Sequence, residues 1–268
     1  MSEQEAIFRK LHHGAQPLLL PNAWDAGSAR LFESLGAAAI ATTSAGVAWA
    51  LGYADGGKLP ADAAIGVAVN IARVLKVPLS VDMENGYSDD PATVAETIRR
   101  LLDAGVAGIN IEDGSQAPRV LVAKIEAIKN AAAQSGTMLF VNARTDVYLA
   151  SLVEAPQRVD ETLARAAIYR EAGADGVFVP GLRDGAEIKT IAQGVRLPLN
   201  LLAWPGLMPA QELGALGVRR LSAGSGISQM LWGQAETLAR DFLEHGRSEA
   251  LDAGAMAYPR LQGLFAGK

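Results

Sequence analysis

Eight short apolar stretches of extended character recur along this chain, and between them lie segments whose apolar residues fall three and four positions apart. The stretches are LLLPNAW (18–24), AAIATTSAG (38–46), PLSVDME (78–84), GINIED (108–113), MLFVNARTD (138–146), DGVFVPG (175–181), LPLNLLA (197–203) and RRLSAG (219–224). Segments such as PATVAETIRRLLDAG and PQRVDETLARAAIYREAG carry helical periodicity and close on glycine, which readily ends a helix. Four helix-to-strand junctions resemble one another, SLGAAAIATT, DAGVAGINIED, EAGADGVFVP and ALGVRRLSAG. Gly36, Gly105 and Gly173 lie 69 and 68 residues apart, or two units of about 34 residues each, the size of a βα repeat. Strands apolar on both faces belong in a parallel sheet covered by helices, and eight units favour closure into a (β/α)8 TIM-type barrel over an open doubly wound sheet. No GxGxxG follows the first stretch, which weighs against a dinucleotide fold.

The repeat leaves two additions: a helix over about 2–13 before the first strand, and a C-terminal helical extension, with a long helix over about 225–246 and a tail at 247–268. Nothing resembling a linker divides the chain, so residues 1–268 are expected to form one barrel domain. The tail's leucines and aromatics would either cap the barrel or pack on another subunit.

Half of the 268 residues are hydrophobic, enough for one large core, and the net charge of -5 gives no basic field for nucleic acid or anionic lipid. The N-terminus lacks the apolar core of a signal peptide and no apolar run is long enough to span a bilayer, so a cytoplasmic protein with a small-molecule partner is expected. There is no cysteine, which excludes disulfides, thiolate metal sites and a cysteine nucleophile or acid. His12 and His13 lie in the leading helix and His245 near the end of the long C-terminal helix; the expectation is surface or capping positions for all three, and no histidine on the active rim.

In such a barrel the C-terminal strand ends form the active face. The run SVDMENGY (80–87) places Asp82 and Glu84 there, two apart and so on one side of a strand, with Met83 facing away. The next strand ends in Glu112 and Asp113, the fifth carries Asn142, Arg144 and Asp146, and the seventh contains Asn200. Asp113 and Asp146 fit helix capping as well as a site. Asp82, Glu84 and Glu112 together would repel one another unless a cation intervenes, and oxygen ligands without Cys or nearby His point to Mg²⁺ or Mn²⁺. Arg144 beside such an ion suits a substrate carboxylate. Ser44, Ala45 and Gly46 could present successive backbone N–H groups to an anionic oxygen, or could be small for packing alone. SAGSG (222–226) is read as a plain connection between the last strand and its helix.

VDMENGYSDDP, GINIEDG, NARTD and GADGVFVPG, together with LLLPNAWDAGSARLFESLGAAAIATTSAG, resemble the isocitrate lyase/phosphoenolpyruvate mutase superfamily in order and spacing, from about residue 17 to about 232. The resemblance implies a (β/α)8 barrel whose last helix is exchanged between subunits in a dimer of dimers, and Mg²⁺ holding a 2-oxo acid or its enolate. By position, Asp82, Glu84 and Glu112 would hold the metal directly or through water. Ser44, Ala45 and Gly46 would contact substrate oxygens, Asp55 would be the acidic residue of the following loop with a catalytic role, Arg144 the substrate-binding arginine and Asn200 a further substrate contact. Two departures bear on activity. Where lyases of the superfamily carry a Lys/Arg-Cys-Gly-His type motif, this chain has DGSQAPRVLVAKI, without Cys or His, and the longer asparagine-containing loop of phosphonate-directed members is missing too. Glu84 stands where many members have Asp.

The expectation is a Mg²⁺-dependent lyase cleaving a C–C bond of a small 2-oxo or 2-hydroxy di- or tricarboxylate, by decarboxylation of the oxaloacetate kind or by retro-aldol cleavage of the isocitrate or methylisocitrate kind. Its alternatives are a C–P bond enzyme acting on phosphonopyruvate, and a protein that binds a 2-oxo acid such as 2-oxoglutarate or pyruvate with little turnover.

Overall fold

The computed structural model describes residues 2–266. Nine parallel strands form one sheet: β1 (Leu18–Leu20), β2 (Asn22–Ala23), β3 (Ile40–Thr42), β4 (Leu79–Asp82), β5 (Gly108–Glu112), β6 (Phe140–Arg144), β7 (Gly176–Phe178), β8 (Leu199–Leu202) and β9 (Val218–Ser222). Their order, β1-β9-β8-β7-β6-β5-β4-β3-β2, begins and ends on two strands consecutive in the chain, so the sheet returns on itself as a barrel. The ninth strand arises from Pro21, which has no N–H to offer the ladder and splits the expected 18–24 strand in two. The two pieces pair with different neighbours, β1 with β9 and β2 with β3. Other strands are shorter than their apolar runs. The 38–46 stretch stops at Thr42, because Thr43 caps a helix beginning at Ser44.

The helices are α1 (Glu3–Leu11), α2 (Ala26–Ser34), α3 (Ser44–Ala50), α4 (Ala61–Val74), α5 (Pro91–Asp103), α6 (Pro118–Gln134), α7 (Arg158–Glu171), α8 (Gly185–Gly194), α9 (Ala210–Ala215), α10 (Gly226–His245), α11 (Glu249–Asp252) and α12 (Tyr258–Gly263). The repeated junction glycines Gly36, Gly105, Gly173 and Gly217 all have positive φ, from 78° to 106°, the conformation that lets a helix end and turn back into the sheet. Buried Val, Ile and Leu from the outward strand faces pack against α4, α5 and α6 in one cluster and against α7, α8 and α9 in another.

The barrel bottom is plugged by α1. Ser2 and Glu5 cap that helix reciprocally, and the i, i+4 spacing places Phe8 and His12 on one face. Phe8 meets Phe140 edge-on at 5.5 Å between ring centres, and His12 stacks on Phe140 at 4.2 Å. Gly108 makes room for this plug: a Cβ there would stand 2.6 Å from Phe8 Cε1. His12 takes the capping position that the sequence expectation allowed, as the C-cap of α1, but is 1% exposed and not a surface residue. Burial at the barrel bottom outweighs its polarity because Nδ1 donates to the Phe8 carbonyl at 2.8 Å.

One eighth of the barrel lacks its cover. Only Ser228 of α10 is buried, while Met230, Leu231, Trp232 and Leu243 are exposed. Leu19 on β1 is 55% exposed, and a groove of about 1170 Å³ between α1, β1 and α2 is lined by Ile7, Leu11, Leu19, Phe32 and Leu35. The tail touches its own chain at α2, where Arg30 Nε donates to the Leu264 carbonyl.

Candidate active site

A cavity of about 210 Å³ opens at the C-terminal strand ends. That is below the roughly 300–1,000 Å³ of drug-sized ligand sites and suits a small molecule. The apolar groove beside α1 is larger but offers only Lys10 and Gln16 as polar side chains with functional reach, so size alone does not locate the chemistry. Ser44, Ala45, Asp55, Asp82 and Arg144 line the rim cavity; Gly46, Glu84, Glu112 and Asn200 do not.

Asp82 ends β4. Its N–H donates to Thr42 Oγ1 at 2.8 Å, and its Oδ2 accepts from the Ser44 N–H at 3.2 Å. Oδ1 is buried without a partner. Strand alternation stops there: Glu84 has φ of +48°, and its carboxylate accepts from the Gly57 N–H instead of standing beside Asp82 on one strand face. Of the three amides at the start of α3, Ser44 is committed to Asp82 and Gly46 to Thr43 Oγ1, leaving Ala45 as the open donor of the cavity wall. Gly46 is glycine for packing, because a Cβ would lie 2.7 Å from Thr43 Cγ2 and 3.0 Å from Trp24 Cβ.

Arg144 ends β6 opposite Glu112 in register. Nη1 pairs with Glu112 Oε2 at 2.7 Å, while Nε and Nη2 donate to Asp146 at 2.7 and 3.0 Å. Two of its five N–H groups are thus spent on Asp146, Nη1 is held by the ion pair with Glu112, and one N–H on each terminal nitrogen remains for a ligand. Asp146 is fixed in turn by Asp113, whose Oδ1 accepts the Asp146 N–H at 3.0 Å and whose Oδ2 accepts from Arg165 and the Tyr169 hydroxyl. Asp113 and Asp146 thus resolve as supports of the arginine and not as helix caps.

Burial pushes the Glu112 carboxyl up to about 8 against the pull of Arg144, with Asp82, Asp146 and Glu84 adding repulsion. Burial raises Glu84 as well, opposed by the Gly57 amide and reinforced by Asp82 and Asp55. Burial alone would lower Arg144, but Glu112 and Asp146 hold it firmly charged. Among the described residues no three His, Asp or Glu side chains converge as a ready ligand set. The ligating groups near the cavity are all oxygens, and the buried Asp82 oxygen without a partner is the one a cation would satisfy.

The floor was not foreseen as a whole. Asn110, Asn142, Asn200, Ser222 and Arg220 form a buried polar layer inside the barrel, with Asn110 and Ser222 reaching the cavity. Asn142 Nδ2 donates to Asn110 Oδ1 at 2.9 Å, and the Ser222 hydroxyl donates to Asn200 Oδ1 at 3.2 Å, which places Asn200 one layer below the cavity. Leu149, Phe178, Pro180, Leu202 and Trp204 make the apolar wall. The available signal was strand alternation: Asn110 sits two residues before Glu112, and Arg220 two before Ser222, each a polar residue on the inward face of an apolar strand.

A sequence model of the phosphoenolpyruvate phosphomutase family matches residues 8–243. The chain belongs to this family. It is therefore an enzyme of the isocitrate lyase/phosphoenolpyruvate mutase superfamily, whose members are C–C lyases or mutases. An uncharacterized protein of Mycobacterium tuberculosis is 43% identical over 224 residues, 81% of each chain. A 2-methylisocitrate lyase of Bacillus subtilis is 32% identical, covering 75% of this chain and 68% of its own. An oxaloacetate decarboxylase of Pseudomonas aeruginosa is 30% identical, covering 81% and 77%. Among solved structures, a Burkholderia cenocepacia J2315 protein with a provisional lyase/mutase description superposes with a TM-score of 0.89 at 34% identity, covering 98% of this chain and 96% of that one. No helix among the described residues is long and apolar enough to cross a membrane.

Proposed function

We propose that this enzyme decarboxylates a small 2-oxo dicarboxylate of the oxaloacetate type, with Mg²⁺ or Mn²⁺ as its cofactor. The observation that carries the reading is the cavity's composition: Arg144, Ala45 and Asp82, a fixed arginine, an uncommitted amide and a carboxylate with one oxygen lacking a partner, line the same cavity, and neither His nor Cys is among the lining residues. Asp82 would hold the ion directly, and Glu84 and Glu112 through water, in keeping with the waters Mg²⁺ retains. When bound, the ion supplies an electrophile for the substrate's carbonyl and carboxylate oxygens.

The chain's own groups account for the rest. The two remaining N–H groups of Arg144 grip a substrate carboxylate, and Glu112 and Asp146 keep the guanidinium from turning away. The Ala45 amide donates to negative charge growing on the carbonyl oxygen. The departing carboxylate lies against Leu149, Phe178 and Trp204, where poor solvation favours its loss as neutral CO2. Asp55, on the opposite loop, orders the water that protonates the product carbon. Relatives named as a decarboxylase and a lyase acting on small carboxylic acids support the substrate class.

The test is pyruvate formation from oxaloacetate, with and without EDTA, in wild type and Arg144→Ala. Metal-dependent turnover that falls in the variant is expected. Phosphate release from phosphonopyruvate with no oxaloacetate turnover would replace this reading with C–P chemistry, and binding without turnover of either would reduce the protein to a 2-oxo acid binder.

The same proposal extends to assembly. The uncovered groove beside Leu19 and the exposed apolar side of α10 match in character, so a helix from a second copy is the natural cover for each, with the 247–268 tail beside it. Light scattering should give a dimer or tetramer, and Met230→Glu with Leu231→Lys should release monomer.

A further inference from the structure

Beneath the rim the barrel holds a buried cation with no ion-pair partner among the described residues. Arg220 is 1% exposed; Nη2 donates to Asn110 Oδ1 at 3.0 Å, Nε donates to Ser222 Oγ at 3.3 Å, and Nη1 is buried with no partner. Below it lies the Phe8 ring, 6.0 Å from the guanidinium carbon, and above it the cavity. Asp82 acts on it through space, and it stays charged at neutral pH. An unbalanced charge at this depth is costly, and a second anion arriving in the cavity would offset it.

Asn110 connects this cation to the cavity. Its Oδ1 accepts from two donors, Arg220 Nη2 and Asn142 Nδ2. An amide has one accepting end and one donating end, and the reverse orientation would set its NH2 against both donors. The NH2 is therefore the end turned from them, and it donates to no protein atom among the described residues although Asn110 lines the cavity beside its register neighbour Asp82.

We propose that Asn110 is a ligand-binding residue, its NH2 donating to a carbonyl or carboxylate oxygen at the cavity floor, and that Arg220 is the positioning residue that keeps this donor end upward. This rests on the reading that the cavity takes a 2-oxo acid, and it adds a floor contact that selects for an acceptor oxygen. A neutral donor there also avoids placing another carboxylate beside Asp82, Glu84 and Glu112.

The experiment titrates oxalate, a planar dicarboxylate probe, into the Mg²⁺-loaded protein by calorimetry, alongside thermal melting, for wild type, Asn110→Asp, Asn110→Ala and Arg220→Met. Asn110→Asp is nearly isosteric and supplies Arg220 with an anion, so it should hold or raise the melting temperature while weakening oxalate by about tenfold or more, the worth of a hydrogen bond to a charged group turned repulsive. Asn110→Ala and Arg220→Met should weaken oxalate by about tenfold each in the folded protein. A merely structural role would lower melting and leave oxalate affinity unchanged. Oxalate affinities within about twofold of wild type in both Asn110 variants, or no oxalate binding by wild type, overturn the proposal. Oxalate binding by wild type that the Asn110 variants weaken, without turnover of oxaloacetate, would sink the functional reading and leave the floor contact standing.

Discussion

His12 should make this barrel acid-sensitive, and by an amount that can be worked out. The imidazole is sealed at the barrel bottom between Phe8 and Phe140, with Nδ1 bonded to the Phe8 carbonyl and Nε2 buried without a partner. Nδ1 faces an acceptor and carries the proton; a second proton on Nε2 would be a buried charge without a hydrogen bond, in the field of Arg220. Burial first, and Arg220 second, lower the group from 6.5 to about 3. The unfolded chain thus binds a proton between these values that the folded chain refuses. Stability from this group is fully present above pH 6.5 and is lost as pH falls toward 3. At about 1.4 kcal/mol per unit, the loss between pH 8 and pH 5 is about 2 kcal/mol. Urea unfolding at pH 8 and pH 5 measures it, with His12→Phe as the reference that stacks and does not titrate. Wild type should lose about 2 kcal/mol more than the variant across this interval. Parallel losses in the two proteins would refute the reasoning, since carboxylate titrations are common to both.

Three further outcomes follow from named contacts. Gly108→Ala drives a methyl to 2.6 Å from Phe8 Cε1 and should cost about 1–3 kcal/mol in urea unfolding, part of it recovered by Phe8→Leu in the same chain. Asp113→Ala leaves the Tyr169 hydroxyl without its acceptor and Arg165 with Glu161 alone, and should destabilise by about 2–4 kcal/mol, with activity falling out of proportion to stability because Asp146 loses its hold, whereas Gly108→Ala, at the far end of the barrel, should leave activity of the folded protein unchanged. Arg144→Lys keeps the charge and loses the fork, so kcat/KM should fall about 100-fold in the oxaloacetate assay.

The barrel was legible because its signals are local. Apolar strands, helical periodicity and the junction glycines at 36, 105, 173 and 217 each reflect backbone geometry that neighbouring residues specify. Pro21 could have been read as a break, but only the pairing of β1 with β9 and β2 with β3 shows that it is the point where the ring closes. At the site, Asp82 and Arg144 were legible as charged residues ending apolar strands. Glu84 was placed by extrapolating strand alternation past the last strand residue, and its left-handed backbone breaks that rule. Arg220 and Asn110 carry no sequence reading and His12 only that of a surface or capping residue, because each depends on distant partners: a polar residue inside an apolar strand reads as a flaw until the facing strands or the plugging helix are known.

What the site lacks sets the last expectation. The β5–α6 connection spans only 113–117 before α6 begins at Pro118, and Gln116 is tethered to Asp89 at 2.8 Å, so this loop brings no acid over the cavity. The chain has no cysteine, His12 is at the opposite end of the barrel, and Tyr87 and Tyr148 are absent from the cavity lining. Decarboxylation tolerates this deficit, because the electron pair left by CO2 passes to the carbonyl oxygen and water can protonate carbon afterwards. Retro-aldol cleavage of 2-methylisocitrate does not tolerate it, since the succinate carbanion needs a positioned acid even where a carboxylate such as Asp55 can take the hydroxyl proton. General acid catalysis is worth about 10²–10⁴ in rate. The ratio of kcat/KM for oxaloacetate over 2-methylisocitrate, measured at one Mg²⁺ concentration, should therefore exceed about 100. Comparable values would show that a proton donor reaches the cavity from outside the groups lining it, and the exposed α10 and tail of a second copy would be the first place to look for it.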